Sequence, residues 1–265
     1  MDRLSDHPSL TDCMEALQLA GKIIMENGGE TYRAEETISR MGEGFGLRDV
    51  ESFAVPSGLF ISFRGEDGNP VTTVKRVRRL DRNLTRVDEV NQVSRRVFSG
   101  EDNCEQALAR LRKIEADPGA FPGKWALPAA FLCACGFTAL FGGNVAAIAV
   151  AGAVAAFVQG MEIFLARFRN RGLTASVLGG LVTALLPHLL AMAVPGLQTE
   201  LIIAGAIMPL VPGLAMTNAV QDTMRGDMVS GLSHGVQAIL TAFLIAGGAL
   251  LAIAALSRLR GVAGL

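Results

Sequence analysis

GAIMPLVPGLAMTNAVQD, residues 205–222, lies in an otherwise apolar stretch that begins at Leu201, and it sets Pro209 and Pro212 where a membrane helix would run unbroken. A helical proline has no N–H for the carbonyl four residues back, so Pro209 would free the carbonyl of Gly205 and Pro212 that of Met208. Each costs about 3 kcal/mol in an ordinary helix interior. In hydrocarbon the cost is higher, because freed carbonyls must be buried in protein or line a wet cavity. Past the break, Thr217, Asn218, Gln221 and Asp222 fall at i, i+1, i+4 and i+5, one polar stripe on the following helix. A lone Asp222 beside Arg225 and Asp227 could simply end a helix at the membrane interface. Two prolines, Gly205, Gly213 and four polar side chains exceed what an ending requires, and they match the discontinuous helices that hold substrates in transporters.

The surrounding composition agrees. The 265 residues are 50% hydrophobic with mean hydropathy +0.38 and a formal net charge of −1, too apolar for a typical soluble chain of this length. Residues 1–123 hold 17 of the 24 Lys and Arg and 21 of the 25 Asp and Glu, so a polar N-terminal part precedes an apolar one. Near balance of charge gives no argument for nucleic acid. The opening MDRLSDHPSLTD has no apolar core, so no signal peptide is expected and the N-terminal part is expected in the cytosol. Of Cys13, Cys104, Cys133 and Cys135, no two form a CxxC pair. All four are expected to be reduced, neither metal ligands nor staples.

Apolar stretches long enough for a bilayer, which takes about 20 residues, occur near 125–142, 144–165, 173–194, 200–220 and 230–256, predicting five spans. Arg167, Arg169 and Arg171 follow the second and Arg225 the fourth, while the first and third loops have no Lys or Arg. The positive-inside rule then puts the N-terminus in the cytoplasm. An odd count leaves the C-terminus outside, against which Arg258 and Arg260 in the tail weigh mildly. Gly and Ala in AVAGAVAA (149–156) and at Gly179-Gly180 favour close helix packing.

The first 123 residues predict an α+β unit. A helix from about Leu10 ends at Asn27-Gly28-Gly29, and a second starts at Thr31 with Ala34, Ile38, Met41 and Phe45 on one face. Strands follow around Glu51–Val55, LFISFR and VTTVKRV, the last two joined by the turn GEDGN. One more helix carries Leu84, Val87, Val90, Ser94 and Val97, and another opens on a capping box Asp102 to Glu105 and runs to Asp117-Pro118-Gly119, the boundary before Lys124 and Trp125. The acidic residues around Arg33 in ENGGETYRAEETISR (26–40) suit a helix start. The basic run KRVRRLDRNLTR (75–86) reads as a solvated face, with anionic headgroups as the other reading.

His188, after Pro187, is the better candidate for a proton-carrying or substrate-facing histidine, with His234 behind it; packing serves either as well. The chain is expected to hold no nucleophile elbow, and it has no HExxH and no Walker sequence. Ser230 and Ser233 share one segment with His234, poor geometry for a dyad. An enzyme is not expected.

AGKIIMENGGETYRAEETISRM, then GLRDVESFAVPSGLFISF, then GAIMPLVPGLAMTNAVQDTMRGDMVSG resemble, in that order, the threonine/serine exporter family of bacterial cytoplasmic-membrane proteins. The resemblance covers nearly the whole chain. Members are one fused chain or a large and a small protein, and this chain is similar to the large component of the split type. The resemblance implies export of C4 dicarboxylates such as succinate in that branch, and of threonine and serine in fused members. Such carboxylates suit the free N–H groups of a half-helix.

The expectation is therefore an α+β cytoplasmic domain, residues 1–119, followed by an all-α polytopic membrane domain, residues 120–265, with five transmembrane helices. The function expected is a subunit of a secondary exporter of small carboxylates in the bacterial inner membrane. A small, purely transmembrane partner, the lipid bilayer and an oligomeric assembly complete it. The alternative is a non-transporting membrane sensor or scaffold. Substrate-binding candidates are Gly205, Pro209, Pro212, Gly213, Thr217, Asn218, Gln221, Asp222 and His188; no catalytic residue, metal, cofactor or nucleic acid is expected.

Overall fold

The computed structural model describes residues 10–65, 68–78, 83–117, 125–165 and 173–263. They form two compact units, and the division does not follow the chain: one holds the N-terminal 120 residues together with Leu214–Gly235, the other Phe121–Gly213 with Val236–Leu265.

In the first unit, α1 (Leu10–Glu26) ends where the sequence places a stop. Gly28 takes φ +88°, and the Gly29 N–H returns to the Ile24 carbonyl at 2.9 Å, a left-handed helix ending that glycine allows. After α2 (Thr31–Gly44) come β1 (Arg48–Val55), β2 (Gly58–Arg64) and β3 (Pro70–Arg76), an antiparallel sheet in the order β1-β2-β3. Alternation along β2 turns Leu59, Ile61 and Phe63 into a core shared with Leu17, Ile24, Ile38 and Met41. Helices α3 (Leu84–Phe98) and α4 (Cys104–Ala116) close it with Val90, Val97 and Leu111.

The capping box of α4 is one residue later than expected. Asn103 caps, and Gln106 returns the bond to the Asn103 N–H. Asp102 is not free for that role, because its buried carboxylate accepts from Arg96 at 3.0 and 3.1 Å and pairs with Arg110 at 2.8 Å. The hydrogen bonds from Arg96, then the charge of Arg110, hold its pKa below the usual carboxylate range. A depressed folded pKa means that this anchor stabilises the fold above the unfolded pKa of about 3.9 and is lost as pH falls through the folded one.

The four cysteines are not all reduced: Cys13 on α1 and Cys104 on α4 form a buried disulfide, Cα–Cα 5.0 Å, across 91 residues. Spacing in sequence cannot show that two helices so far apart pack side by side. A disulfide typically stabilises a fold by about 2–4 kcal/mol. Cys13→Ser with Cys104→Ser is expected to lower the thermal midpoint of the purified chain by several degrees, and reductant should do the same to the unsubstituted chain. An unmoved midpoint in both would contradict the bond.

The second unit contains α5 (Ala126–Leu140), α6 (Val145–Leu165), α7 (Leu173–Ala193), α8 (Thr199–Ala206) and the later part of α10 (Met228–Ala263). Small residues make its core: Ala134 of α5, Ala147, Ala151 and Ala155 of α6, Ala206 of α8. A Cβ on Gly180 of α7 would lie 2.0 Å from the Ile245 carbonyl oxygen, and one on Gly248 of α10 2.0 Å from that of Val177, so these two helices touch backbone to backbone.

The expected fold, an α+β cytoplasmic domain followed by five transmembrane helices, is corrected on both counts. Among the described residues three helices are long and apolar enough to cross a membrane, Val145–Leu165, Thr174–Ala193 and Met228–Arg258. A fourth span results if Thr199–Leu210 and Gly213–Met224 together make one. The first expected span yields only the 15 residues of α5, about 22 Å at 1.5 Å per residue against a hydrocarbon thickness of about 30 Å. Three spans keep the odd count on which the external C-terminus rested, and four do not. Nor do the N-terminal residues make a separate domain, since Leu214–Gly235, from the part read as membrane, belongs to the same compact unit. Arg167, Arg169, Arg171, Lys124 and the Pro118-Gly119 boundary lie outside the described residues.

Candidate functional site

The break at the two prolines is real, and its backbone is largely satisfied. Helix α8 stops at Ala206, Met208–Leu210 form one 3-10 turn, and α9 runs over Gly213–Met224. The Met208 carbonyl accepts from the Val211 N–H at 3.2 Å, and the Ile207 N–H reaches the carbonyl of Gly205 as well as that of Ile203. Tightening to a 3-10 turn thus replaces the bonds the prolines remove. Val211 is extended, φ −60° and ψ 131°, as a residue before proline prefers. Gly205 has a packing role in the second unit: a Cβ there would fall 1.9 Å from Thr138 Oγ1 of α5.

The polar stripe that follows divides. Asn218 and Asp222, one turn apart on α9, are buried at 4% and 1% exposure, Gln221 is half-buried, and Thr217 faces outward. Around Asp222 the first unit assembles a cluster from three places in the chain. Asp222 Oδ2 lies 2.9 Å from Nδ1 of His234, one helix onward on α10, and Oδ1 lies 3.0 Å from the hydroxyl of Thr31, the first residue of α2. The same hydroxyl lies 3.0 Å from Oδ2 of Asp227, whose Oδ1 accepts from the Ser230 N–H at 3.3 Å and so caps α10. The Asn218 amide donates to the carbonyl of Gly28 in the α1–α2 turn at 3.3 Å. Arg225 does not neutralise either aspartate, and its guanidinium stacks 3.6 Å above the ring of Tyr32. Gly231 lets α10 come this close, since a Cβ there would meet Thr223 Oγ1 of α9 at 2.2 Å.

Counting protons shows what the cluster can do. A threonine hydroxyl has one hydrogen to donate, and an ionised carboxylate only accepts. Thr31 stands at hydrogen-bond distance from two carboxylates, so both contacts are hydrogen bonds only when one aspartate is protonated and donates to Oγ1. Asp222 thus stands between a hydroxyl that it shares with Asp227 and the imidazole of His234. A third acid faces the same region: burial raises the pKa of Glu35 on α2, its bond from the Ala54 N–H at 2.7 Å opposes this, and the charges of Asp227 and Asp222 add to the rise. Gln221 Oε1 and the fully buried Ser230 Oγ, one turn before His234, have no hydrogen-bond partner among the described residues.

His188 is elsewhere. It belongs to the second unit, and its Nδ1 lies 2.8 Å from the Ala184 carbonyl of its own helix. Thr31 is a functional candidate that sequence reading passes over, while Asp227 and Ser230 enter that reading only as a helix end and as poor dyad geometry. A helix-starting threonine and an Asp three residues before a serine both look like ordinary caps. Residues 231–235, GLSHG, do spell G-x-S-x-G, but they lie inside α10 rather than at a strand-to-helix turn. Ser233 Oγ donates to the Val229 carbonyl at 2.9 Å, so His234 and Asp222 have no serine nucleophile presented to them there. No group of three or more metal-ligating side chains occurs among the described residues.

A buried acid–histidine cluster in a chain of long apolar helices, one pair of them interrupted by prolines, defines an integral membrane protein with a polar site. Residues 15–256 match the family model described as "Putative threonine/serine exporter". The chain belongs to the threonine/serine exporter family. It is 25% identical over 260 residues to the "Threonine/serine exporter" of Corynebacterium glutamicum, covering 92% of this chain and 51% of that protein. It is 23% identical over 228 residues to the "Probable threonine/serine exporter" of Mycobacterium tuberculosis, covering 85% and 43%. With the "Probable succinate transporter subunit YjjP" of Escherichia coli K12 it shares 22% over 235 residues, covering 88% and 90%. The chain thus spans about half the length of the two exporters and most of the transporter subunit. No solved structure matches it.

Proposed function

We propose that this chain is one subunit of a secondary exporter that carries a small carboxylate metabolite, a C4 dicarboxylate such as succinate or the amino acids threonine and serine, out of a bacterial cell. The observation that carries the reading is the Thr31–Asp222–His234–Asp227 cluster: buried groups able to exchange a proton, in a member of a family of exporters. Ionisable groups at such depth are costly and are kept where ions or substrates move. Asp222 and His234 take up and release the coupling proton, while Asn218 and Gln221 offer neutral hydrogen bonds to the passing substrate. Near full-length similarity to a protein named as a subunit supports a second, small transmembrane partner.

The N-terminal residues face the cytosol in this reading, supported by the arginines at 167, 169, 171 and 225. The Cys13–Cys104 disulfide weighs the other way, since cytosolic thiols are ordinarily kept reduced; a reporter fused at residue 115 decides the side.

The test is efflux. Cells holding this chain and the partner, preloaded with labelled succinate, threonine or serine, are expected to lose at least one label several-fold faster than cells lacking the chain. Equal efflux of all three labels would overturn the proposal.

A further inference from the structure

The first unit contains a second polar site, remote in character from the acidic one. A cavity of about 690 Å³ is lined by five cationic residues, Lys22 of α1, Lys75 and Arg76 of β3, Arg78 just beyond it and Arg86 of α3. Its two carboxylates are already engaged: Lys22 Nζ lies 2.6 Å from Glu115 and 3.8 Å from Glu26. Among the described residues no carboxylate pairs with Lys75, Arg76 or Arg78. Arg86 donates to the Asp117 carbonyl and has Nη1 3.5 Å from Asn27 Oδ1, while its buried Nε has no acceptor.

Among the described residues the cavity's five cations face only two carboxylates, Glu26 and Glu115, both on Lys22, so the other four repel each other. Arginine forks match tetrahedral oxyanions through paired N–H donors. A volume of this size is that of a small-molecule site, for which 300–1,000 Å³ is typical. We infer that this cavity binds a multiply charged oxyanion of the phosphate class, from a phosphorylated soluble metabolite or an anionic lipid headgroup. Several cations set the multiple charge, since a monocarboxylate would leave most of them unpaired. The site is distinct from the transport reading and stands or falls without it.

Binding is measured on the full chain in nanodiscs of phosphatidylcholine, titrated calorimetrically with inorganic pyrophosphate at low ionic strength. Saturable single-site binding is expected. It should weaken about tenfold or more in Arg86→Gln and in Arg76→Gln with Arg78→Gln, the change that removing a charge-assisted hydrogen bond of roughly 1.4 kcal/mol produces. Arg86→Lys should retain more affinity than Arg86→Gln, and Arg112→Gln, at an exposed arginine paired with Glu15, should bind as the unsubstituted chain does. Unfolding midpoints of all variants are compared, so that loss through misfolding is recognised and the Arg76/Arg78 pair, both exposed, decides. In discs containing phosphatidylglycerol, a tenfold or greater rise in the apparent Kd makes the headgroup the source, and an unchanged Kd makes it soluble. Absence of saturable pyrophosphate binding in phosphatidylcholine discs, or binding unaffected by the arginine variants, would overturn the inference.

Discussion

Asp222→Asn should lower export at least tenfold at matched membrane abundance while leaving the amount of folded protein nearly unchanged. The two side chains have the same shape. Asparagine can still accept from His234 through Oδ1 and donate to Thr31 through Nδ2, so the hydrogen bonds that Asp222 makes are retained. What disappears is a carboxyl able to take up and release a proton between Thr31 and His234. A tenfold loss corresponds to about 1.4 kcal/mol at the barrier, the scale on which charge-assisted hydrogen bonds exceed the neutral ones that remain. Full export by this variant would reduce the cluster to packing.

Thr31→Val is expected to impair export comparably and to destabilise the fold by about 1–3 kcal/mol, because the hydroxyl is buried and its loss leaves two carboxylate oxygens facing an apolar methyl. Thr31→Ser, which keeps the hydroxyl, should recover most of both. Efflux at matched abundance and the thermal midpoint check this together. The effect is large only if the N-terminal residues complete the transport site. Were they a separate domain joined by a linker, a substitution 191 residues away from Asp222 would leave export untouched.

Much of the N-terminal chain was legible because its signals are local. Asn27-Gly28-Gly29 ends α1 through a left-handed glycine, and the alternation in LFISFR places Leu59, Ile61 and Phe63 on one face. Pro209 and Pro212 announced the interruption for the same reason, since proline acts on its immediate neighbours. The expected freeing of the Gly205 and Met208 carbonyls did not follow, because a 3-10 turn can form within three residues. Asp222 was legible as a member of a polar stripe, but its partners were not. His234 comes 12 residues later on another helix, and Thr31 comes from the opposite end of the sequence. Periodicity reports which face of a helix is polar and carries no information about what that face meets. The disulfide and the shifted capping box share that origin: each depends on which helices lie side by side. The span count failed on length, since α5 is apolar throughout yet ends at Gly142, which takes φ +85°.

The central claim, that Thr31 and Asp222 act as one site, is tested most directly by a double-mutant cycle on export. Efflux of the labelled metabolite is measured at matched abundance for the unsubstituted chain, Thr31→Val, Asp222→Asn and the double variant. A shared site predicts strong non-additivity, with the double variant hardly worse than the more damaged single one, a coupling of at least about 1 kcal/mol. Losses that simply multiply would show that the two residues act independently and would contradict the account.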